Sequence, residues 1–477
     1  MVSQLFIAVL LSVVPISTAL DKYVHVDLKA PLRPEYFKKS LDIFAKLGAT
    51  GVVIEWEDMF PLTGILSSAS HGNAYSKADV VGILDHARRL NLTVIPLVQT
   101  FGHAEWLLKT ALFAPLRENA NYSNVFCIGN PAARDILTDL LGQIAAIHAA
   151  VGPMPFFHIG ADEAMIPPGL CEEDIEMMDE LGTNDTKILV YHHLRTMAKS
   201  LQDEYPETKV LAWFDEFKNA DASVLRDFEI TTRITPVVWK YWAEHLDQAL
   251  PEAMWANLSL AFPSAWGASA FKGANGANKY TNDIAPYLAN NEQWRSQLER
   301  HSKKFSKGIE SVIVTGWQRY DHFSGLCELL PTSFTALALS MVVIERDATE
   351  EDASRIVPIL SCPSTTNIVN LLSGNDSCAY PGHEVRGAIR KLAAVYANYD
   401  KYTFYTESLA KQYQKYLKMM VPVEEAINKS FAEIFFPETA AEFIYDQIAP
   451  FKERLTSALS ELDVINARRT FQPRPIF

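Results

Sequence analysis

Met154-Pro-Phe-Phe-His158-Ile-Gly160-Ala-Asp162-Glu163 is an apolar run, interrupted by Pro155 and His158, that stops at a glycine and delivers two adjacent carboxylates. A buried parallel strand ends in this way at the rim of a barrel: the glycine lets the chain turn, and the acids emerge from a hydrophobic wall. Two acids so close cannot both ionise freely, so one is expected to stay charged while the other can give up a proton. On the dipeptide alone another reading stays open, since Asp and Glu are also favoured where a helix begins.

The pattern around this stretch favours the barrel. From Lys22 to about Gln318, short apolar runs alternate with amphipathic ones. The expected strands are Tyr23–Leu28, Gly51–Glu55, Thr93–Val98, Pro155–Ile159, Lys209–Phe214, Pro236–Trp239, Leu258–Pro263 and Ser311–Thr315. Expected helices between them include Glu35–Leu47, Lys77–Leu90, Ala132–Val151, Lys187–Tyr205 and Ala285–Lys307. Eight strands, each followed by a helix or loop, predict an α/β fold of the (β/α)8 TIM barrel type. A doubly wound open sheet is the alternative, but no glycine-rich phosphate turn follows the first strand. Beyond Gly325 the pattern changes: Leu326–Ile344 reads as a buried closing helix and Ser361–Pro381 as a loop. From about Glu384 to Ala467 run long amphipathic helices, expected to pack on the barrel. The division expected is 1–19, a signal peptide; 20–345, the catalytic barrel; and 346–477, a C-terminal helical region.

The chain has 477 residues, 48% of them hydrophobic, and a formal net charge of −14, which argues against nucleic acid as a partner. Leu5 to Val14 has the length of a signal-peptide core, with Ser17 and Ala19 suited to cleavage before Leu20. No other run is long enough to span a bilayer, so the mature protein is expected to have no membrane span. Sequons at Asn91, Asn121, Asn184, Asn257, Asn375 and Asn428 also fit export, to the extracellular space or the lysosome. Asn257 is read as opening a strand. Of the five cysteines, Cys362 and Cys378 flank a loop and form the first expected disulfide; Cys127 with Cys171 is the second. No Cys/His spacing marks zinc, and neither metal nor cofactor is expected.

The strand ends gather function-bearing residues: Asp27 and Lys29; Glu55, Trp56, Glu57 and Asp58; Gln99 and His103; Asp162 and Glu163; Trp213, Asp215 and Glu216; Trp239 and Tyr241; Trp266; and Trp317, Arg319, Tyr320 and Asp321. In a barrel these converge on one rim. Tryptophans beside acids fit a sugar pocket, where aromatic faces pack on pyranose C–H groups and carboxylates hold hydroxyls.

His158-Ile-Gly160-Ala-Asp162-Glu163 resembles the His-x-Gly-x-Asp-Glu signature of glycoside hydrolase family twenty, the β-N-acetylhexosaminidases. Further segments resemble the hexosaminidase D branch in particular. These are His25-Val-Asp27-Leu-Lys29, Glu55-Trp-Glu57-Asp58-Met-Phe60-Pro61 and Gln99-Thr-Phe-Gly102-His103-Ala-Glu105-Trp106. Later in the chain come Trp266-Gly-Ala-Ser-Ala-Phe-Lys272-Gly273 and Thr315-Gly-Trp317-Gln-Arg319-Tyr320-Asp321-His322.

The resemblance implies exo-acting, retaining hydrolysis of terminal β-linked GlcNAc or GalNAc, with the sugar's own acetamido group as nucleophile. It implies that Glu163 is the general acid and base and that Asp162 orients the acetamido group. His158 and His103 would support the acids. Trp213, Trp239 and Trp317 would wall the pocket, and Glu216 or Asp321 would bind O4 and O6. Two positions depart from the lysosomal members. Their arginine after the first strand is replaced here by the run Asp27-Leu28-Lys29, and no tyrosine follows the seventh strand. Tyr241 or Tyr320 would have to bond the acetamido carbonyl instead. Two competing readings are a secreted lectin-like protein on the same barrel and a two-carboxylate retaining β-glycosidase with Glu216 or Asp321 as nucleophile. The partner in each case is a carbohydrate; the sequence does not set the oligomeric state.

Overall fold

The computed structural model describes residues 20–399 and 407–466. The leader expected over 1–19 lies outside the described residues. Eight parallel strands close into a barrel: β1 (Asp21–Asp27), β2 (Gly51–Glu55), β3 (Thr93–Leu97), β4 (Phe156–His158), β5 (Lys209–Trp213), β6 (Ile234–Trp239), β7 (Ser264–Lys272) and β8 (Gly308–Gly316). Each pairs with its sequence neighbours, and β1 pairs with β8 through Tyr23 opposite Ile313. The thinnest seam joins β3 to β4, where Leu97 opposite His158 is the registered pair.

Helices Pro34–Lys46, Lys77–Arg89, Pro131–Val151, Thr186–Glu204 and Ile284–His301 lie close to the expected bounds. The second starts at a capping box, Ser76 with Asp79. The third starts at Asn130, whose side chain accepts from the Ala132 and Ala133 N–H groups, with Pro131 next.

Strand seven corrects the sequence reading. Leu258–Pro263 is no strand: Leu258 to Ala261 end the helix Glu252–Ala261, which buries Met254, Trp255 and Leu258 at helical spacing. Asn257 therefore sits on that helix, and its amide donates to the Ala220 carbonyl. The true strand is the small-residue run Ser264–Lys272, buried along its whole length. Trp266 consequently lies inside the barrel, stacked on Tyr23 at 4.9 Å between ring centres, and not at the rim. The closing helix also starts later than expected, at Phe334, and ends at Val343.

Strand side chains alternate between the barrel interior and the helix layer. Tyr23, Val53, Ile95, Leu97, Leu211, Trp213, Val237, Trp266, Ala268 and Ile313 fill the interior, with Phe156, Trp239 and Trp317 packed against them. Trp56, one residue beyond inward-facing Glu55, turns the other way and donates its indole N–H to His148 Nε2 at 2.9 Å.

After residue 345 the chain is mainly helical, with His383–Tyr399, Glu407–Phe431, Pro437–Gln447 and Ala449–Asn466. It docks beside the loop that follows β1: the Arg33 N–H donates to Ile434 O at 2.7 Å and Arg33 Nε to Phe435 O at 3.0 Å. Both expected disulfides form, Cys127–Cys171 and Cys362–Cys378, while Cys327 is a buried free thiol. Among the described residues no helix is long and apolar enough to cross a membrane.

Candidate active site

At the carboxyl end of the barrel a cavity of about 280 Å³ is lined by Lys29, His103, Asp162, Glu163, Met165, Trp239, Tyr241, Trp242, Gly273, Ala274, Trp317, Arg319 and Tyr320. The alternation that packs the interior also aims these groups. Tyr23, His25 and Asp27 share a face that leads to Lys29; Val237 leads to Trp239 and Tyr241; Ile313 leads to Trp317 and Arg319.

The turn after β4 is wound tightly. Gly160, Ala161 and Glu163 have φ of 70°, 75° and 38°, and His103 on the facing loop has φ 50°. Left-handed backbone at non-glycine residues costs about 1 kcal/mol or more each and persists only where surroundings enforce it. Here they do. The Gly160 N–H donates to His158 Nδ1 at 3.0 Å, and its carbonyl accepts the Trp213 N–H at 2.9 Å. A Cβ on Gly160 would lie 2.0 Å from Gln99 Oε1, and one on Gly102 would lie 2.1 Å from the Asp162 carbonyl oxygen. The two loops touch through backbone, which sets the distance between His103 and the acids.

His103 Nε2 stands 3.2 Å from Glu163 Oε2 and 3.8 Å from Asp162 Oδ2. Burial alone would lower the imidazole, but Asp162 and the hydrogen bond to Glu163 raise it to about 9. That same hydrogen bond holds Glu163 below the usual carboxyl range. These opposite shifts favour the proton on His103, one hydrogen bond from the carboxylate that would deliver it. Asp162 is buried, and burial followed by the repulsion of Glu163 outweighs His103 to raise it to about 6. Its Oδ1 has no hydrogen-bond partner among the described residues.

The floor beside Trp317 is a buried charge cluster. Lys29 Nζ lies 3.4 Å from Glu57, 3.8 Å from Glu55 and 4.0 Å from Asp27, and 5.5 Å from the Trp317 ring centre. Burial opposes its charge, yet the three carboxyl groups keep the ammonium well above its ordinary value. Glu55 is held at about 2 against its burial by Lys29 and His25.

Of the residues expected at the site, Asp162, Glu163, His103, Trp239, Tyr241, Trp317 and Tyr320 line the cavity. Tyr241 stacks on Trp239 at 5.1 Å, and its phenol is raised well above 10 by burial and by Asp162. The Tyr320 hydroxyl already accepts the Gly276 N–H at 2.9 Å. Trp213 and His158 lie below the floor, 4.4 Å apart and buried, so His158 supports the acids through the Gly160 backbone without touching them. Glu216 and Asp321 are not on the cavity wall. Glu216 follows Asp215 in a short turn and faces the helix layer, where Lys187 offsets the rise that burial gives its carboxyl. Asp321 accepts the Phe323 N–H at 2.8 Å and closes a turn.

Asp215, gathered with the strand-end residues but given no role there, is a further acid of the site. Its Oδ2 accepts the Trp239 indole N–H at 2.7 Å, and burial, then Asp162, push it up to about 7. It is two residues beyond inward-facing Trp213, so strand parity could have chosen it over Glu216. The same count identifies Lys29 after Asp27 and Arg319 after Trp317. Met165 and Trp242, on loops at the mouth, carried no such signal.

Residues 33–266 match the family model described as glycosyl hydrolase family 20, catalytic domain. The chain is 34% identical over 348 residues to hexosaminidase D of Bos taurus, covering 72% of this chain and 97% of that protein. It is 28% identical over 474 residues to hexosaminidase D of Homo sapiens, covering 94% and 95%. Among solved structures, an exo β-N-acetylglucosaminidase from Vibrio harveyi, in complex with N-acetylglucosamine, shares the fold. Its TM-score is 0.50 at 16% identity, covering 72% of this chain and 57% of that one.

Proposed function

This chain belongs to glycosyl hydrolase family 20 and is an exo-acting β-N-acetylhexosaminidase; we propose that it works by a retaining, substrate-assisted mechanism on glycoconjugates ending in β-linked GlcNAc or GalNAc. One observation carries the mechanism. Among the described residues, the cavity wall holds only two carboxyl groups, the neighbours Asp162 and Glu163, and Asp162 presents a buried acceptor without a partner. An acetamido group supplies both missing parts: its N–H meets the free acceptor, and its carbonyl oxygen is the nucleophile that no protein carboxylate supplies.

In the first step the carbonyl oxygen attacks C1 as the C1–O bond to the leaving group breaks. The departing oxygen takes a proton from Glu163, which first receives it from His103. Asp162, ionised, accepts the acetamido N–H and stabilises the positive charge spreading over the oxazolinium ring. In the second step Glu163 removes a proton from water, which attacks C1 and reopens the ring with the original configuration. Trp239 and Trp317 flank the sugar, Lys29 holds ring hydroxyls, and Tyr241 donates to the acetamido carbonyl. Tyr241 is preferred to Tyr320 because it is the tyrosine whose phenol feels the charge of Asp162. The positions of Glu216 and Asp321 weigh against a two-carboxylate mechanism.

The test is an aryl β-glucoside beside the matching β-GlcNAc and β-GalNAc substrates. Turnover should need the 2-acetamido group; comparable turnover of the glucoside would overturn the substrate-assisted route.

We also propose that the protein enters the secretory pathway, destined for the extracellular space or the lysosome. Two disulfides support this, as does the exposure of five of the six sequon asparagines, Asn257 being the exception. The material from a secretory host should begin at Leu20 and lose mass on enzymatic deglycosylation; an uncleaved, unglycosylated chain would sink this placement.

A further inference from the structure

A second cavity of about 210 Å³ adjoins the first and shares Glu163 and Trp239 with it; Phe214, Asp215, Lys218, Lys240, Ala249 and Leu250 form the rest of its wall. A carboxyl that protonates a departing oxygen has the reacting sugar on one side and the leaving group on the other. The first cavity holds Asp162, Tyr241 and Trp317 and so takes the reacting sugar. The second shares Glu163 and is then the space open to the leaving group.

The wall of this second cavity is cationic at the moment of reaction. Lys218 and Lys240 are both half-buried, and each is held over an aromatic ring. Lys218 Nζ lies 5.8 Å from the Phe214 ring centre, and Lys240 Nζ 4.8 Å from that of Trp242. Neither makes an ion pair within 4.0 Å among the described residues. They are close enough to repel: burial and then Lys218 lower the Lys240 ammonium. The carboxyl groups facing them are Glu163 and Asp215. Glu163 must carry a proton when it acts, and Asp215 is pushed up to about 7 and is already bonded to Trp239.

We propose that this cavity is a leaving-group subsite for an anionic sugar, so that the enzyme favours terminal β-N-acetylhexosamine linked to a residue bearing a carboxylate or a sulfate. The proposal rests on the hydrolase reading above. Lysine suits either anion, because an ammonium group acts as a point charge and asks for no planar, two-pronged partner. The leaving sugar departs as an alcohol with the proton from Glu163, and its acidic group stays paired with the lysines until it diffuses away.

The experiment compares three disaccharides with the same terminal β-GlcNAc, linked to glucuronic acid, to glucose 6-sulfate and to glucose, with an aryl β-GlcNAc as reference. At low salt near pH 6, kcat/KM should be about tenfold higher for at least one acidic disaccharide than for the neutral one, and the preferred one identifies the anion. The acidic-to-neutral ratio should fall toward one in Lys218→Gln and in Lys240→Gln, and in wild type at about 0.5 M salt. Equal kcat/KM for all three disaccharides, with normal release from the aryl substrate, would overturn the subsite and leave the hydrolase standing. So would a preference that survives both substitutions. No release from any of the four would overturn the hydrolase reading and the subsite with it.

Discussion

Glu163 and Asp162 are neighbours in sequence with opposite tasks, and their surroundings separate them. Glu163 is partly exposed and bonded to His103, whereas Asp162 is buried. Glu163→Gln should lower kcat by about 10²–10⁴-fold on substrates with poor leaving groups and by less on activated aryl glycosides. Asp162→Asn should slow the first step by about 10²-fold, checked by single-turnover kinetics. The raised carboxyl of Asp162 also has a stability consequence. A group whose folded pKa, about 6, lies above its unfolded value favours the fold when protonated. That contribution is complete below about pH 4 and is lost as the pH rises through 6. Asp162→Asn should therefore stabilise the protein above pH 7, by at most about 3 kcal/mol, with the gain vanishing below pH 4. A thermal melt series from pH 4 to 8 tests it; destabilisation above pH 7 would count against the argument. In kcat/KM the same ionisation should give an acid limb near pH 6, with loss toward pH 9 as the His103 and Glu163 pair gives up its proton. An acid limb that persists in Asp162→Asn would transfer it to Asp215.

At the scale of elements, the contact between the loops after β3 and β4 sets the catalytic geometry. Gly102→Ala would drive a methyl group into the Asp162 carbonyl oxygen, a collision with backbone that no side-chain rotation relieves. The loops must part, and a shift of about 1 Å at the acids lowers kcat/KM by about 10²-fold. Near-wild-type kinetics in that variant would show the contact to be dispensable. Gly102 stood in a motif readable from the sequence, as did seven of the eight strands. Strand seven did not, and the reason is physical. Ser264-Ala-Trp-Gly-Ala-Ser-Ala-Phe-Lys has almost none of the branched residues that mark strands, because neighbours crowd it on both faces; a Cβ on Gly267 would come within 2.9 Å of the Trp294 ring. Leu258-Ser-Leu-Ala-Phe looked like a strand because a short apolar run carries no period of its own, and only the preceding Met254 and Trp255 reveal the helix. Glu216 was expected where Asp215 stands for a related reason: the two acids are one residue apart, and only alternation from Trp213 says which faces the pocket.

At the scale of the whole molecule, the C-terminal helices are part of the pocket's support. Arg319 lines the cavity from the loop after β8, and its guanidinium pairs with Glu442 on the helix Pro437–Gln447. The same region also reaches the neighbouring loop after β1, where Leu32, three residues after Lys29, bridges Phe435. Two of the cavity's cations are thus positioned, directly or through a short loop, by chain more than 100 residues beyond the barrel's last strand. Glu442→Ala separates support from stability. Glu442 is more than a third exposed, so losing the pair should change stability by only about 0.5–1 kcal/mol. Arg319 is nearly buried, however, and its Nε has no partner among the described residues, so without Glu442 its head group gains freedom to swing across the sugar. KM for aryl β-GlcNAc should rise by about 3–10-fold with kcat nearly constant, because Arg319 touches neither the proton path nor the acetamido group. Glu442→Gln, which can still accept from Arg319, should recover most of the loss. A fall in kcat at unchanged KM, or no recovery with glutamine, would mean that the helical region acts on the site by some other route.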